Sequence, residues 1–314
     1  MGYLLEWVGA RARWVLAVGV IAAFFMPEIS AALRPFLTPL VAFVFCIAMA
    51  RIDLPDMARR LTRPVHLMRL TLWSLGLMAV TPAIYWLIGH GVGLPESYVA
   101  ALVYSGVTPP ITSAAALCLI IGLNAVFALE LTMMASLLTP LIGPVVVLLL
   151  LGDTVPVDAV SLGLRVGGMI IGGAVAAYAL QRLMGRARIQ RNAGAFDGMA
   201  AIAMWLVVVA VLDGAGSRIL GAPEEAACLL LLALAFNFGG QAVWALVFQA
   251  TTPDKAGAAS LMWGNRTVAI YLAALPFDPV FALYVAFSQI PMLFTPLVMG
   301  AYLARVERTP RPEG

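Results

Sequence analysis

Apolar runs of about 17 to 25 residues recur along the whole chain, and short loops that carry most of the charge separate them. Runs of this length are what a helix needs to cross the hydrocarbon core of a bilayer. The composition, 62% hydrophobic and 11% charged, lies far from the usual balance of soluble domains. Because lipid offers backbone groups no hydrogen-bond partners, these runs should be helices. The chain is therefore predicted to be an all-α integral membrane protein with a single transmembrane domain over residues 1–314.

Ten such runs can be counted, with boundaries good to a few residues: 14–30, 34–50, 69–89, 98–121, 126–151, 159–181, 193–213, 225–248, 258–275 and 280–303. The first run lacks a small-residue cleavage site, so it is interpreted as a retained span and not as a signal peptide. An even number of spans puts both termini on one side of the membrane.

Positive charge is distributed unevenly between the two ends of these runs. If the N-terminus is cytoplasmic, 15 of the 19 Lys and Arg residues fall on the cytoplasmic side, as the positive-inside rule requires. Arg34, Arg165 and Arg218 lie at outer ends, and Arg266 lies inside a run. The pattern predicts a multi-pass protein of a bacterial inner membrane with both termini cytoplasmic. The net charge of +3 then reflects topology and not nucleic-acid binding.

No pattern of catalytic or metal-binding residues stands out in the sequence. Cys46, Cys118 and Cys228 sit inside apolar runs without metal-ligand spacing, so they are interpreted as small buried hydrophobes. Nucleophile motifs, phosphate loops and paired carboxylates are absent from the sequence, and the scattered glycines lack a strand-helix context. The sequence therefore predicts neither an enzyme nor a resident cofactor, and it carries no information on oligomeric state.

The chain matches itself at an offset of 156 residues, which is about half its length. This offset lays "SLLTPLIG" (136–143) over "MLFTPLVM" (292–299) and, without a gap, Thr108-Pro109-Pro110 over Gly264-Asn265-Arg266. Prolines are common in membrane helices, and a short match can arise by chance. Agreement between the offset, the aligned motifs and the charge topology nevertheless favours an internal repeat.

Each aligned motif should interrupt a membrane helix. Pro109 and Pro110 remove backbone donors and Gly264 frees the backbone, so the fourth and ninth spans are predicted to be broken helices. Five spans separate the copies, so repeat one (about 1–151) and repeat two (about 159–303) should be inverted. Irregular backbone in a bilayer needs protein or a cavity around it. The breaks therefore predict one shared polar site, where half-helix N-termini suit an anion and unwound carbonyls suit a cation.

These features resemble the bile acid:sodium symporter family, which has ten spans in two inverted five-helix repeats with crossed broken helices. The best match is residues 97–147, where "GVTPPITSAAALCLIIGLN" is similar to the family's fourth helix, and "WGNRTVAIYLAAL" stands where the family has its ninth helix. The resemblance implies a core of spans 3 to 5 and 8 to 10 and a panel of spans 1, 2, 6 and 7. It also implies alternating access by rocking of the core against the panel.

The departures from the family pattern concern sodium. The family's ninth-helix glutamate falls on Met262, its Ser-Asn pair becomes Ser113-Ala114, and Arg266 takes a Gln position, whereas Thr132 keeps a hydroxyl of the fifth helix. The chain is similar to a divergent bacterial-type member that lacks the sodium glutamate. Sodium coupling is thereby put in doubt, and the coupling ion stays open between sodium, proton and none.

Arg266 is interpreted as functional, because charges at helix centres cost about 2.5–3.5 kcal/mol on insertion scales and persist mainly in functional cavities. It can bind an anionic substrate directly or replace the coupling ion electrostatically. A structural ion pair with Glu130 is the third alternative. Glu130 is also a better candidate for a proton carrier than His66 or His90.

Polar residues near the two breaks complete the candidate site. Asn237 and Gln241 share one face of the eighth span, and helix-to-helix hydrogen bonding is an equally weighted alternative for them. The candidate substrate-binding residues are Arg266, Asn265, Thr267, Thr108, Thr112, Ser113, Asn237 and Gln241. The candidate ion-binding or coupling residues are Ser113, Thr132, Glu130 and Gln289.

The sequence thus predicts a secondary transporter that moves a small organic anion across the inner membrane by alternating access. The alternative is a ligand-binding membrane sensor or regulatory module on the same fold, which binds its ligand without transporting it. The short loops leave such a sensor no obvious output domain of its own.

Overall fold

The computed structural model describes residues 2–11, 27–52, 59, 63–154 and 158–308. In chain order its helices are α1 (Gly2–Ala10), α2 (Pro27–Ala50), α3 (Pro64–Gly91), α4 (Glu96–Gly106), α5 (Ala114–Ile121), α6 (Ala125–Leu151), α7 (Ala159–Met184), α8 (Arg186–Arg191), α9 (Ala193–Val211), α10 (Ala215–Gly221), α11 (Pro223–Thr251), α12 (Ala256–Gly264), α13 (Ala269–Ala274), α14 (Pro279–Val298) and α15 (Gly300–Arg308). Among the described residues, seven helices are long and apolar enough to cross a bilayer, namely α2, α3, α6, α7, α9, α11 and α14. The chain is therefore a multi-pass α-helical membrane protein.

The seven long helices correspond to seven of the ten predicted spans, with some differences at their ends. The predicted first span, 14–30, lies largely outside the described residues, and α2 begins at Pro27, ahead of the predicted start of the second span. The tenth span is predicted to reach 303, whereas α14 ends at Val298 and a separate amphipathic helix, α15, follows it.

The predicted fourth and ninth spans are each interrupted. The fourth consists of α4 and α5 with residues 107–113 between them, and the ninth consists of α12 and α13 with residues 265–268 between them. Pro109 and Pro110 explain the first break. Gly264 acts differently from the prediction, because its φ is not positive and it forms the last residue of α12. It is needed for close packing: a Cβ there would lie 2.8 Å from the backbone oxygen of Asn237.

Within the part of the chain that the structure describes, two helices carry a π-helical turn that the sequence did not predict. Residues Gly76–Val80 in α3 and Ala235–Gly239 in α11 form five-residue π-helical segments. Such turns shift carbonyls and side chains out of the α-helical pattern, and they are frequent at functional sites. One residue of each segment, Leu77 and Asn237, bonds to the ninth-span break.

The buried apolar side chains of the described residues form two clusters. One draws on α2, α4, α7, α9, α13 and α14, and the other draws on α5, α12, α15 and part of α6. The two halves of the ninth span therefore pack in different parts of the molecule, which leaves the break between them at the boundary of the clusters.

Glu307 on α15 joins the N-termini of two helices at the predicted cytoplasmic face. Its carboxylate accepts hydrogen bonds from the backbone N–H of Asn124, at 2.6 Å, and of Ala258, at 2.8 Å. Asn124 caps α6 and Ala258 lies in the first turn of α12, where helical N–H groups lack partners within the helix. One side chain thus connects α15 to a long span and to the first half of the ninth span.

The same carboxylate should make the stability of the protein depend on pH. Burial raises the pKa of Glu307 above its ordinary 4.5, although its backbone hydrogen bonds act in the opposite direction. Since the folded state binds this proton more tightly than the unfolded state, Glu307 should lose stabilising power as pH rises from 4.5 through the raised pKa. We expect the melting temperature of wild type, minus that of Glu307→Gln, to fall over that interval. If this value rose with pH, the account would be contradicted.

Candidate functional site at the helix breaks

The two unwound segments pair with each other in antiparallel orientation inside the helix bundle. An isolated bridge joins Pro110 to Arg266. Beside it, backbone N–H groups donate from Ile111 to Asn265, at 3.1 Å, and from Thr267 to Pro109, at 2.9 Å. The bridged residues are 156 apart, which is the offset at which the sequence matches itself, and exchanging the two segments converts one bond into the other. The pairing satisfies backbone groups that a helix break would otherwise leave bare in lipid.

We call the place where the two unwound segments pair the crossing. Arg266 lies at the crossing and is only 5% exposed. Its guanidinium donates from Nε to the carbonyl of Trp263 at 2.9 Å and from Nη1 to that of Thr108 at 2.8 Å, and Nη2 donates to Leu77 at 3.1 Å. Trp263 lies in the last turn of α12, and Thr108 lies two residues beyond the end of α4; free carbonyls at such helix ends carry partial negative charge. Two such ends converge here, and the guanidinium supplies both the charge and the donors that they need.

The ion pair with Glu130 that the sequence left open for Arg266 is not formed. Among the described residues the guanidinium contacts carbonyls and not carboxylates. Glu130 lies 3.1 Å from the His66 ring, measured from Oε2 to Nε2, and it is buried whereas His66 is partly exposed. Glu130 and His66 therefore form a second polar site, near the predicted cytoplasmic ends of α3 and α6.

A buried amide network adjoins the crossing. Asn237 donates to the carbonyl of Gly264 at 2.7 Å, and Gln241 donates to the side chain of Asn237 at 2.7 Å and to Thr295 at 3.3 Å. The Thr295 hydroxyl donates to the side-chain oxygen of Asn265 at 3.1 Å. Asn237 and Gln241, the predicted pair on the eighth span, are thus joined to the break. Their hydrogen bonds connect helices and also place both amides beside the candidate site. The Gln241 Oε1 atom is buried and has no hydrogen-bond partner among the described residues.

A small cavity of about 20 Å³, which we call the central cavity, borders this network. Its polar lining consists of Tyr85, Ser105, Asn237, Arg266, Tyr284 and Ser288, and Phe236, Val268 and Met292 supply apolar walls. A space of this size holds about one water molecule. The structure is therefore closed around the crossing, and an organic ligand requires the cavity to widen.

The remaining candidates lie at different distances from Arg266. Thr267 donates its hydroxyl to the carbonyl of Pro110 at 2.9 Å, inside the crossing. Thr112 is half-buried and Ser113 is exposed, and neither lines the central cavity. The Thr132 hydroxyl lies 3.9 Å from the sulfur of Met262. The two residues that align with sodium-site positions of the resembled family are therefore in contact.

Gln289 does not line the cavity beside Arg266. Its amide donates to the carbonyl of Val285 within its own helix, at 3.2 Å, and its side chain lines a small void beside α9. The structure brings together Arg266, Asn265, Thr267, Asn237, Gln241 and the carbonyl of Thr108. It does not bring Ser113, Glu130 or Gln289 to the same place.

Several residues at the site were missed from the sequence. Thr295 was recoverable, because it aligns with Thr139 in the repeated Thr-Pro motif, and both hydroxyl oxygens lie within hydrogen-bond distance of the carbonyl four residues earlier. Tyr284 and Ser288 lie one helical turn apart on α14 with no motif to mark them. The Leu77 carbonyl had no signal, since only the π-helical turn frees it.

Comparison with known proteins adds no family assignment. The chain matches no protein-family model and no characterised protein sequence. The resemblance to bile acid:sodium symporters therefore rests on the motifs and on the order of the spans, and it stays a prediction.

Proposed function

We propose that this protein is a secondary transporter of a small organic anion. The observation that carries the proposal is the antiparallel meeting of two interrupted helices around a buried guanidinium. Unwound backbone and a charged side chain are both costly in a bilayer, so their coincidence favours a functional site. The shared 156-residue offset of motif and pairing supports two inverted five-helix repeats, and ten spans, with the site at the repeat interface as in other transporters.

The lining of the central cavity supports an anionic substrate. The backbone carbonyls use three hydrogen bonds of a guanidinium that has five N–H groups, so Arg266 keeps donors for a carboxylate or similar group. Hydroxyl groups from Tyr85, Tyr284 and Ser288 can add further donors. The apolar walls suit a short hydrocarbon body. The present volume of about 20 Å³ fits a closed state of an alternating-access cycle, which must widen to admit substrate.

The contacts of Arg266 support transport without a sodium requirement. Unwound carbonyls and half-helix C-terminal ends are the groups that hold free cations in transporters with broken helices. Here a tethered guanidinium occupies those carbonyls, and the side chain of the buried Met262 has no oxygen that could bind a cation. We therefore propose that Arg266 replaces a free cation at the crossing. The alternative is that transport is coupled to a proton carried by Glu130, whose carboxylate contacts the ring of His66.

The test is uptake of radiolabelled pyruvate and succinate into liposomes that contain the purified protein. We expect uptake above that of protein-free liposomes, unchanged when sodium is replaced by choline, and lost in Arg266→Gln. Arg191→Gln is the matched control, because Arg191 is exposed on α8 and its loss should leave uptake intact.

Two results would contradict the proposal. A carboxylate that raises the melting temperature without being taken up would favour the sensor, because a sensor binds its ligand without moving it. Uptake that requires sodium would contradict the coupling part of the proposal and leave the transporter assignment intact.

A further inference from the structure

Two side chains from predicted panel spans bond to the outer end of α13, and a third contacts Phe277 just beyond it. Thr38 on α2 donates its hydroxyl to the carbonyl of Ala273 at 3.1 Å, and Arg165 on α7 donates to the carbonyl of Ala274 at 3.0 Å. The guanidinium carbon of Arg34 lies 3.6 Å from the ring centroid of Phe277. The last carbonyls of a helix lack partners within it and attract donors and cations. We name Arg34, Thr38 and Arg165 the outer clasp.

A cavity of about 350 Å³ opens beside the outer clasp, at the predicted outer face. Arg34, Asp213, Ser217, Arg218 and Phe277 are among its lining residues. The volume lies at the lower end of the range of small-molecule sites, far above that of the central cavity. Arg34 is held at 3.1 Å by Asp213, and Arg218 bonds twice to Glu225, so both arginines are fixed at the cavity wall.

Two smaller spaces continue this cavity toward Arg266. Val211 borders both the outer cavity and a void of about 10 Å³ between α9 and α14. Ala269 and Gln289 line that void, and their chain neighbours Val268 and Ser288 line the central cavity. Helix α14 therefore lines all three spaces one after another, and α9 lines the outer two. Apolar side chains such as Val207 and Val285 close this series of spaces in the middle, as hydrophobic constrictions do in channels.

We propose that the outer cavity receives the small organic anion from the predicted outer side and that the outer clasp keeps the passage from this cavity to Arg266 closed. The identity of the anion rests on the proposed function, whereas the passage and its clasp do not. Releasing the clasp removes the hydrogen bonds that α2 and α7 donate to the outer end of α13, which favours separation of the panel helices from the core along α9 and α14.

The test measures opening directly and needs no transport. In a background with Cys46, Cys118 and Cys228 replaced by Ala, Ser288→Cys places a reporter thiol in the central cavity. A membrane-impermeant methanethiosulfonate reagent is added outside liposomes of uniform protein orientation. Thr38→Val with Arg165→Met should raise the labelling rate at least about tenfold, because losing a neutral and a charged hydrogen bond shifts a two-state equilibrium by that factor or more. Arg182→Met, at the opposite end of α7, should leave the rate unchanged.

A second variant tests the route. Ser217→Trp fills the outer cavity, so adding it to the variant with the released clasp should return labelling of the reporter thiol toward the wild-type rate. Labelling that stays slow after the clasp is removed, in protein whose melting curve shows that it is folded, would overturn the clasp. Fast labelling that Ser217→Trp does not slow would overturn the route. Neither result depends on uptake, so failure here is distinguishable from failure of the proposed function.

Discussion

Arg266→Ala is expected to lower the melting temperature of the purified protein by on the order of 10 °C, since 1 kcal/mol corresponds to about 2–4 °C in chains of 150–250 residues. The substitution strips hydrogen-bond donors from the carbonyls of Leu77, Thr108 and Trp263, all in the closed interior. Each buried polar group left without a partner costs about 1–3 kcal/mol, so the total loss should be roughly 3 kcal/mol or more. The measurement is a thermal melt in detergent at neutral pH.

Arg266→Lys and Arg191→Ala are the controls for this prediction. Lysine keeps the charge but has one compact ammonium group in place of a planar fork, so it should recover only part of the loss. Arg191 is exposed, and its substitution should change stability by less than about 0.5 kcal/mol. If Arg266→Ala melted at the wild-type temperature, the guanidinium would not be what joins α4 to α12.

Gly264→Ala is expected to abolish uptake and to destabilise the protein by about 1–3 kcal/mol, as overpacking of a tight interior does. The added Cβ would lie 2.5 Å from Cγ of Gln241 and 2.8 Å from the backbone oxygen of Asn237. Backbone cannot move aside as a flexible side chain can, so α11 has to shift away from the break. The hydrogen bond from Asn237 to the Gly264 carbonyl should be lost with that shift.

The matched control is Gly168→Ala on α7, where a Cβ would meet nothing within 4 Å. Alanine favours a helix over glycine by about 0.8–1.0 kcal/mol in an open position, so this variant should be neutral or slightly stabilised. Melting and uptake are measured for both variants side by side. Equal behaviour of the two alanine variants would show that the contact between Gly264 and α11 has no special role.

The sequence was informative where the cost of burying backbone in lipid decides the structure. Apolar run length predicted the seven long helices, and Pro109 and Pro110 predicted an interruption that lies between Gly106 and Ala114. The offset of 156 residues predicted which two segments correspond, and those segments pair at the same offset. In each case a local rule, either hydrophobic length or a missing N–H, dominates over tertiary context.

The sequence was uninformative where backbone atoms are the partners of a side chain, as the carbonyls that bind Arg266 are. The carbonyl of Leu77 is exposed to Arg266 by a π-helical turn whose residues, "GLMAV", look like ordinary helix. Gly264 was interpreted through its torsional freedom, whereas close approach of α11 is the reason for it. The sequence offered Glu130 as the only protein partner for Arg266, whereas carbonyls at two converging helix C-termini provide the negative charge. Such partners become visible only when the helices are assembled.

The central claim is that a tethered guanidinium takes the place of a free cation at the crossing of the broken helices. The most direct measurement is the melting temperature of wild type and Arg266→Ala in choline chloride, in sodium chloride, and in choline chloride with millimolar guanidinium. A ligand at 100 times its dissociation constant stabilises a protein by about 2.7 kcal/mol, so refilling of the vacated carbonyls should be visible. We predict that guanidinium raises the melting temperature of Arg266→Ala alone and that wild type responds to neither cation. Sodium stabilisation of the wild type, or an Arg266→Ala protein that is indifferent to guanidinium, would contradict the account.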